Sequence, residues 1–562
     1  MSDKLAEQEC DAWQAMEAAA ANERNGWQDI SDYVAPQKSA ITGSKSYSIE
    51  EYADKIYDTE AVHSNSVLAS GQMDYMLSGK WFECIPEDKD APQDAKDWYK
   101  RAGETLLEFL PDTNFPLEMH EFFLDRGGFG TSHVHCEEDE EDIMYFVHAP
   151  IGTYYIQENH KKLVDTIRRC FKMDVYQAER FFGEENLSSS FRKLKDSKSA
   201  ADKIKKLDVI HTIRPRRKDE REQGKIDAVN MPIASIYVCK EDKHTLRESG
   251  YPEQPFSVSR FERWGDTGYG WCPSHMVLFT IRQTQDIERD MDAVSEVQAF
   301  PRTLSPKGVV SKIRLEPAGV TSYDPNAANG AKPEFWGLES DIRPGLERAE
   351  QKREIIRRAY FVDLFQMLTN MDEVKREKTA FEVSKMLHEK LTRIHPTFER
   401  IKMEVFKPLL TRMFNIGFRA NLFDDPPASV YKERNPGNWV IPAPKYSFTS
   451  KLAMAVRSAE NTTFFEWWAM MAPIMEIMGP EAFVTELNFT RMIRMTGDNQ
   501  GVSVDFFNSP EERKAIEAEI QAQKEAQAAM AMAESGSKVA SNMSKLPQEI
   551  IQGGPPQRTG TV

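Results

Sequence analysis

Two glycines flank an aromatic residue in TGYGWCPSHMVLFTIRQ, residues 267–283, just before a predicted helix. A dinucleotide-binding loop needs Gly-x-Gly-x-x-Gly between a strand and a helix, because each glycine permits a separate close approach. Gly268 and Gly270 supply two glycines, but Pro273 occupies the third position. No acidic residue ends a second strand about twenty residues later. The stretch therefore predicts a tight turn entering a helix at Pro273, and we expect no cofactor.

Three polar patterns are candidates for chemistry. His133 and His135 lie two apart on a predicted strand and so share one face, but two ligands do not complete a zinc site. We expect a polar sheet face there, and no metal. The carboxylates of EEDEED, residues 137–142, lack the spacing of a calcium loop and predict a solvated hairpin tip. RPRRK, residues 214–218, is either a solvated loop or a contact with phosphate or a partner.

The sequence contains no signature of a known catalytic class. It has no P-loop, no G-x-S-x-G, no H-E-x-x-H and no catalytic-cysteine motif. Its six cysteines are scattered, which indicates free thiols in a reducing cytosol. We find no active site and expect that the protein is not an enzyme.

Composition limits the partners. The 562 residues are 40% hydrophobic and 29% charged, which is typical of a globular chain of several domains. The formal charge of −17 excludes a broad basic face that wraps DNA, so any contact with nucleic acid is local or exploits repulsion. We expect no targeting segment and no membrane span, since no apolar run is long enough.

Hydrophobic periodicity predicts an α+β fold that is mostly helical. Helices are expected over the first 35 residues, from about 46 to 77, from about 92 to 110, and in a short stretch up to Arg126. β-branched and aromatic residues predict antiparallel strands from about 131 to 264, interrupted by a helix near 175–183.

The second half is predicted to be mostly helical, with breaks at 301–341, 369–378 and 423–447. An apolar seam marks a helix from Met276 to Phe300, a block rich in proline and glycine follows, and a charged helix runs from about 344 to 368. Thr379 with Glu382 forms a capping box, and the stripe of that helix continues to about Phe418. A last helix begins at Ser509, and the final ten residues are typical of a disordered tail.

Six stretches occur in one order between Trp27 and about residue 425. They are NERNGWQDISDYVAPQ, KIYDTEAVHSNSVLASGQMDYMLSGKWF, TNFPLEMHEFFLDRGGFGTSHVHCEED, APIGTYYIQENHKKLVDTIRRCFKM, GYGWCP and REKTAFEVSKMLHEKL. As a set they resemble motifs of the portal, or head-to-tail connector, proteins of short-tailed, podovirus-type bacteriophages. Trp271, Cys272 and Phe381 depart from the usual residues of that family, and the chain beyond residue 430 carries little of the resemblance.

The resemblance implies the portal fold of wing, stem, clip and crown, assembled into a ring with a central channel. The implied domains are a wing (1–275), a first stem helix (276–300), a clip (301–341), a second stem helix (342–368), a tunnel loop (369–378), a long spine helix with wing or crown helices (379–508), and a crown or barrel helix with a disordered tail (509–562). Gly268–Pro273 would then be the exit from the wing into the stem.

The resemblance also implies function and partners. The protein would form a ring, usually of twelve copies, at one capsid vertex of the virion after assembly in the host cytoplasm. Double-stranded DNA would be packaged and ejected through its channel. The ring would dock a terminase first and tail adaptor proteins later, and would meet the major capsid and scaffolding proteins.

Two sets of charged residues are the candidate site. Lys375, Arg376 and Lys378 in the implied tunnel loop offer transient phosphate contacts, which neighbouring carboxylates would keep weak. On the second stem helix, charges can pair between neighbouring subunits or face the channel; they are Arg353, Arg357, Arg358, Glu347, Glu350 and Glu354.

Two alternatives remain open at this point. One is another virion structural protein, such as a tail adaptor or an internal core protein. The other is an intracellular enzyme whose site is assembled without a linear motif.

Overall fold

The structure is a computed structural model that describes the larger part of the chain. The described residues are 2–38, 41–42, 55–88, 91–222, 225, 227–300, 302–304, 326, 334–336, 343–369, 393–435, 438–449, 516, 518–519 and 522–523. The chain divides into two units, residues 1–459 and 460–562, and the architecture below belongs to the first. The predicted tunnel loop, most of the 301–341 block, the start of the Thr379 helix and nearly all of the last helix and tail lie outside the described residues.

Five helices form the N-terminal part. They are α1 Ser2–Ala19, α2 Ala21–Tyr33, α3 Glu60–Leu77, α4 Gln93–Phe109 and α5 Phe115–Phe129. The sequence predicted that the third would begin near residue 46, but residues 55–59 are not helical. A carboxylate oxygen of Asp58 accepts a hydrogen bond from the Glu60 amide at 2.9 Å, which favours a helix start at Glu60.

Two antiparallel sheets follow, and their strands lie within the region between residues 131 and 264 where the sequence predicted strands. The first has the order β3-β2-β9, with β2 Thr131–Asp139, β3 Ile143–His148 and β9 Phe256–Arg260. The second has the order β4-β5-β6-β7-β8, with β4 Tyr154–Glu158, β5 Val164–Met173, β6 Leu207–Pro215, β7 Ile233–Cys239 and β8 His244–Tyr251. Strand β8 was missed, because its polar sequence HTLRESGY lacks the alternation that indicates a strand.

Shorter elements complete the strands. Two-stranded antiparallel pairs join β1 Phe82–Ile85 with β16 Lys445–Phe448, β10 Glu262–Arg263 with β11 Gly270–Trp271, β12 Arg302–Leu304 with β13 Glu334–Trp336, and β14 Lys432–Asn435 with β15 Asn438–Val440. Three short helices are α6 Val175–Phe182, α7 Ser189–Asp196 and α8 Ala200–Ile204; the first two enclose a second, smaller hydrophobic core against the five-stranded sheet.

A pair of antiparallel helices follows the sheets. Helix α9, Pro273–Ala299, begins with proline in its first turn, as the sequence predicted, and α10, Arg343–Ala359, packs along it. The approach is close, because a Cβ atom added at Gly345 would lie 2.9 Å from the sulfur of Met291. Farther along, Lys352 Nζ donates to Gln283 Oε1 at 2.8 Å.

The sequence predicted one continuous helix from 344 to 368, and this was wrong. Helix α10 ends at Ala359, and α11, Val362–Thr369, begins after Phe361, which has a positive φ of 57°. No glycine or proline marks the break. The buried Tyr360 hydroxyl lies 2.7 Å from Ser274 Oγ at the start of α9, so a tertiary contact fixes the chain where α10 ends.

The last long helical segment matches its predicted apolar stripe. Residues 393–401 are helical, a π-helical turn spans Lys402–Phe406, and α12 runs over Lys407–Arg419. The stripe is buried; its members are Phe398, Ile401, Val405, Leu409 and Met413.

Candidate functional site

The structure places one of the two predicted charge sets. All six residues of the predicted stem network lie on α10, whereas Lys375, Arg376 and Lys378 lie outside the described residues. Arg353 and Arg357 bind residues of other elements, and Glu350 bonds to Arg357. By contrast, Glu347, Glu354 and Arg358 lie on the exposed face of α10.

Arg353 joins three parts of the chain. Its Nε donates to Asp58 Oδ2 at 2.7 Å, and its Nη2 donates to Glu288 Oε1 of α9 at 2.7 Å. The Asp58 side chain is only 4% exposed and that of Arg353 is 26% exposed. A carboxylate that is so poorly hydrated depends on its cationic partner, so this pair ties α10 and α9 to the start of α3.

Arg357, one turn further along, binds the same helix start. Its guanidinium makes two hydrogen bonds to the Glu60 carboxylate, at 3.0 and 2.8 Å, and a third to Glu350 at 2.7 Å. A bidentate pair of this kind is among the stronger forms of an ion pair. The hydrogen bonds to the two carboxylates raise the pKa of Arg357 above its ordinary value.

Gln285 completes this contact from α9. Its Oε1 accepts hydrogen bonds from the backbone amides of Tyr57 and Asp58, at 2.7 and 2.9 Å, and its Nε2 donates to the Asp58 carbonyl at 2.6 Å. We call the six residues of this contact the helix junction: Asp58, Glu60, Gln285, Glu288, Arg353 and Arg357. Sequence reasoning missed Asp58, Glu60, Gln285 and Glu288, since no local pattern marks them.

The outer face of α10 keeps the other predicted charges. Arg358 pairs with Glu354, and both side chains are more than half exposed. Glu347 is also exposed. These three residues can meet another molecule without losing a buried partner.

The histidines of β2 lie in an interior layer between the two sheets, which corrects the prediction of a polar sheet face. His133 and His135 are fully buried, and their rings lie near Tyr154 and His211 of the second sheet. His211 accepts from Arg169 Nε at 2.9 Å. Burial, together with neighbouring positive groups, holds the pKa values of His133 and His211 well below their ordinary range.

Glu137 belongs to this layer and not to a solvated hairpin tip. One of its carboxylate oxygens lies 2.5 Å from His135 Nε2 and accepts from the Tyr251 hydroxyl at 2.7 Å. Burial raises the pKa of Glu137, but these partners outweigh it and hold the pKa at about 2. Within the described residues, no group of three histidine, cysteine or carboxylate side chains is arranged to hold a metal ion.

The RPRRK run pairs with carboxylates of the same chain. Arg214 bonds to Glu9 and Glu220, and Arg216 bonds to Glu248 at 2.8 Å.

The described part of the chain contains no helix with both the length and the apolarity needed to cross a membrane.

Comparison with known proteins identifies the class. The family described as "Bacteriophage head to tail connecting protein" matches residues 7–507, so the chain belongs to this family. It is 27% identical to the "Portal protein" of Salmonella phage epsilon15 over 541 residues, covering 94% of each chain. It is 28% identical to the "Probable portal protein" of Bordetella phage BPP-1 over 412 residues, covering 72% of this chain and 73% of that one. Its role is therefore that of a portal, or head-to-tail connector, in the phage virion.

Proposed function

We propose that copies of this chain close into a ring at one capsid vertex, usually of twelve subunits, through which double-stranded DNA is packaged and later ejected. The observation that carries the proposal is the antiparallel pair α9 and α10, joined to the start of α3 by the helix junction. A closed ring needs each subunit to dock head to tail on the next, and rigid paired helices provide a surface that repeats without distortion.

The helix junction supports a stem that moves with the wing. Two arginines of α10 and one glutamine of α9 hold the same short stretch, residues 57–60, so the helix pair is fixed to the N-terminal helices within one subunit. In this proposal Arg353 and Arg357 stabilise the subunit itself. Glu347, Glu354 and Arg358 remain for the neighbouring subunit or the channel.

DNA must slide through the channel without being held. Each subunit adds a formal charge of −17, so the ring repels a duplex at distances within the screening length of about 8–10 Å. Lys375, Arg376 and Lys378 would supply brief phosphate contacts from the tunnel loop. The segment 301–341 would form the clip that docks a terminase and later tail adaptors, and the wing would meet the capsid and scaffolding proteins.

Capsids assembled without this chain test the proposal. They are expected to enclose no genome, because the entry channel is missing; full packaging in its absence would refute the proposal. Capsids carrying the chain with all three loop residues changed to alanine test the loop separately. Unaltered filling and retention of DNA would remove the loop from the mechanism.

A further inference from the structure

Strand β5 extends beyond its neighbour at one edge of the five-stranded sheet. Strand β4 pairs with β5 only as far as Arg169, and the Cys170 amide then bonds to the Thr153 carbonyl at 2.8 Å. In an antiparallel ladder, alternate residues direct their backbone groups to the same side. The N–H and C=O of Lys172 therefore point to the side that β4 has left, and outside the strand ladders no described backbone group bonds to that N–H.

An open groove lies along this free edge. It has a volume of about 490 Å³ and is lined by Phe171, Lys172 and Met173 of β5 and by Gln177, Arg180 and Phe181 of α6. Its apolar lining includes Phe181, whose side chain is 40% exposed. The groove thus offers a strand edge, an apolar surface and two cations together.

Two cations without a described ion partner line the groove. Lys172 and Arg180 are both exposed, and neither forms an ion pair with a residue that the structure describes. The nearby carboxylate of Asp174, at the end of β5, already accepts a hydrogen bond from the Gln177 amide at 2.9 Å. The lining therefore favours an acidic partner.

We propose that this groove binds an extended acidic segment of a partner protein, which adds a strand to β5 at Lys172. Backbone bonds to Lys172 would give the pairing, apolar side chains of the segment would cover Phe171 and Phe181, and its carboxylates would meet Lys172 and Arg180. The free edge of three residues spans about 10 Å, so the contact is short and the affinity modest. The site is complete within one subunit and does not depend on the proposed ring.

Duplex DNA fits the groove less well than an acidic peptide. A phosphate backbone gains nothing from the apolar lining, whereas a peptide fills it. A long polyanion also extends beyond Lys172 and Arg180 into the field of an acidic protein, while a short peptide remains within the screening length of about 8–10 Å.

The test uses the full chain and a fluorescein-labelled peptide of about eight residues that alternates glutamate with leucine. Fluorescence anisotropy at low salt is expected to show saturable binding. Lys172→Pro removes the free amide and is expected to weaken binding about tenfold, while Lys172→Ala keeps the amide and is expected to weaken it much less. Circular dichroism confirms that each variant is folded.

A charge variant keeps the test informative if Lys172→Pro fails to fold. Arg180→Glu is expected to weaken binding about threefold, and Lys432→Glu, an exposed control on β14, is expected to leave it unchanged. The absence of saturable binding up to about 1 mM peptide would overturn the proposal. Equal binding of the same peptide with lysine in place of glutamate, or stronger binding of a DNA duplex of about 20 base pairs, would overturn it too.

Discussion

Replacing Arg353 with methionine tests the helix junction most severely. The change keeps the length of the side chain but removes the partner of Asp58, whose carboxylate is 4% exposed and lies 2.7 Å from the guanidinium. Breaking a buried pair costs about 3–5 kcal/mol. Since Arg353 is 26% exposed and Asp58 still accepts from the Glu60 amide, we expect a loss of about 2 kcal/mol at the junction.

Hydrogen–deuterium exchange of the first turn of α3 is the assay. A local loss of about 2 kcal/mol corresponds to exchange about 30-fold faster when opening is local. Arg358→Met on the same helix is the matched control, because Arg358 and Glu354 are both mostly exposed and their pair contributes below about 0.5 kcal/mol. Equal exchange in the Arg353→Met and Arg358→Met proteins would refute the assignment of Arg353 to an internal clamp.

Two further predictions concern the sheets and their glycines. Burial holds the pKa of His133 in the folded protein well below 6.5, so the unfolded chain binds the proton more tightly. The free energy of unfolding should therefore decrease as the pH falls below about 6.5. For this group the decrease is at most about 1.4 kcal/mol per pH unit. His133→Phe should flatten this acid dependence in a urea titration and His160→Phe should not; identical slopes would contradict the burial argument. In Gly130→Ala the new Cβ would lie 2.4 Å from a backbone oxygen at a residue with a φ of 80°, so the free energy of unfolding should fall by more than about 2 kcal/mol. In Gly26→Ala the new Cβ meets nothing within 4 Å, so the free energy of unfolding should rise by about 0.5–1 kcal/mol. A tolerated Gly130→Ala would show that this close approach does not exist in solution.

Hydrophobic periodicity and the positions of proline and glycine predicted those elements that are determined by residues close together in the sequence. The helix that begins at Pro273 and the stripe from Phe398 to Met413 both depend on residues within a few positions of one another. The tight turn predicted at Gly268–Pro273 was wrong in part, because Gly270 and Trp271 form strand β11, which pairs with β10. The break at Phe361 was not predictable, because the helix ends through a contact between Tyr360 and Ser274, 86 positions apart.

The candidate site was predicted by residue type but not by partner. A run of arginines and glutamates on α10 indicated a charge network, yet the Arg353 partner Asp58 lies 295 positions away. Similarly, the sequence EEDEED predicts solvated carboxylates, but Glu137 lies in the interior, where it is hydrogen-bonded to His135 and Tyr251. Such pairings depend on topology, which composition and spacing do not encode.

Native mass spectrometry of the purified chain, combined with negative-stain electron microscopy, tests the central claim that this connector closes into a ring around a channel. We predict one closed oligomer, of about twelve subunits, with a central hole wide enough for duplex DNA. A stable monomer, an open filament or a particle without a hole would contradict the account.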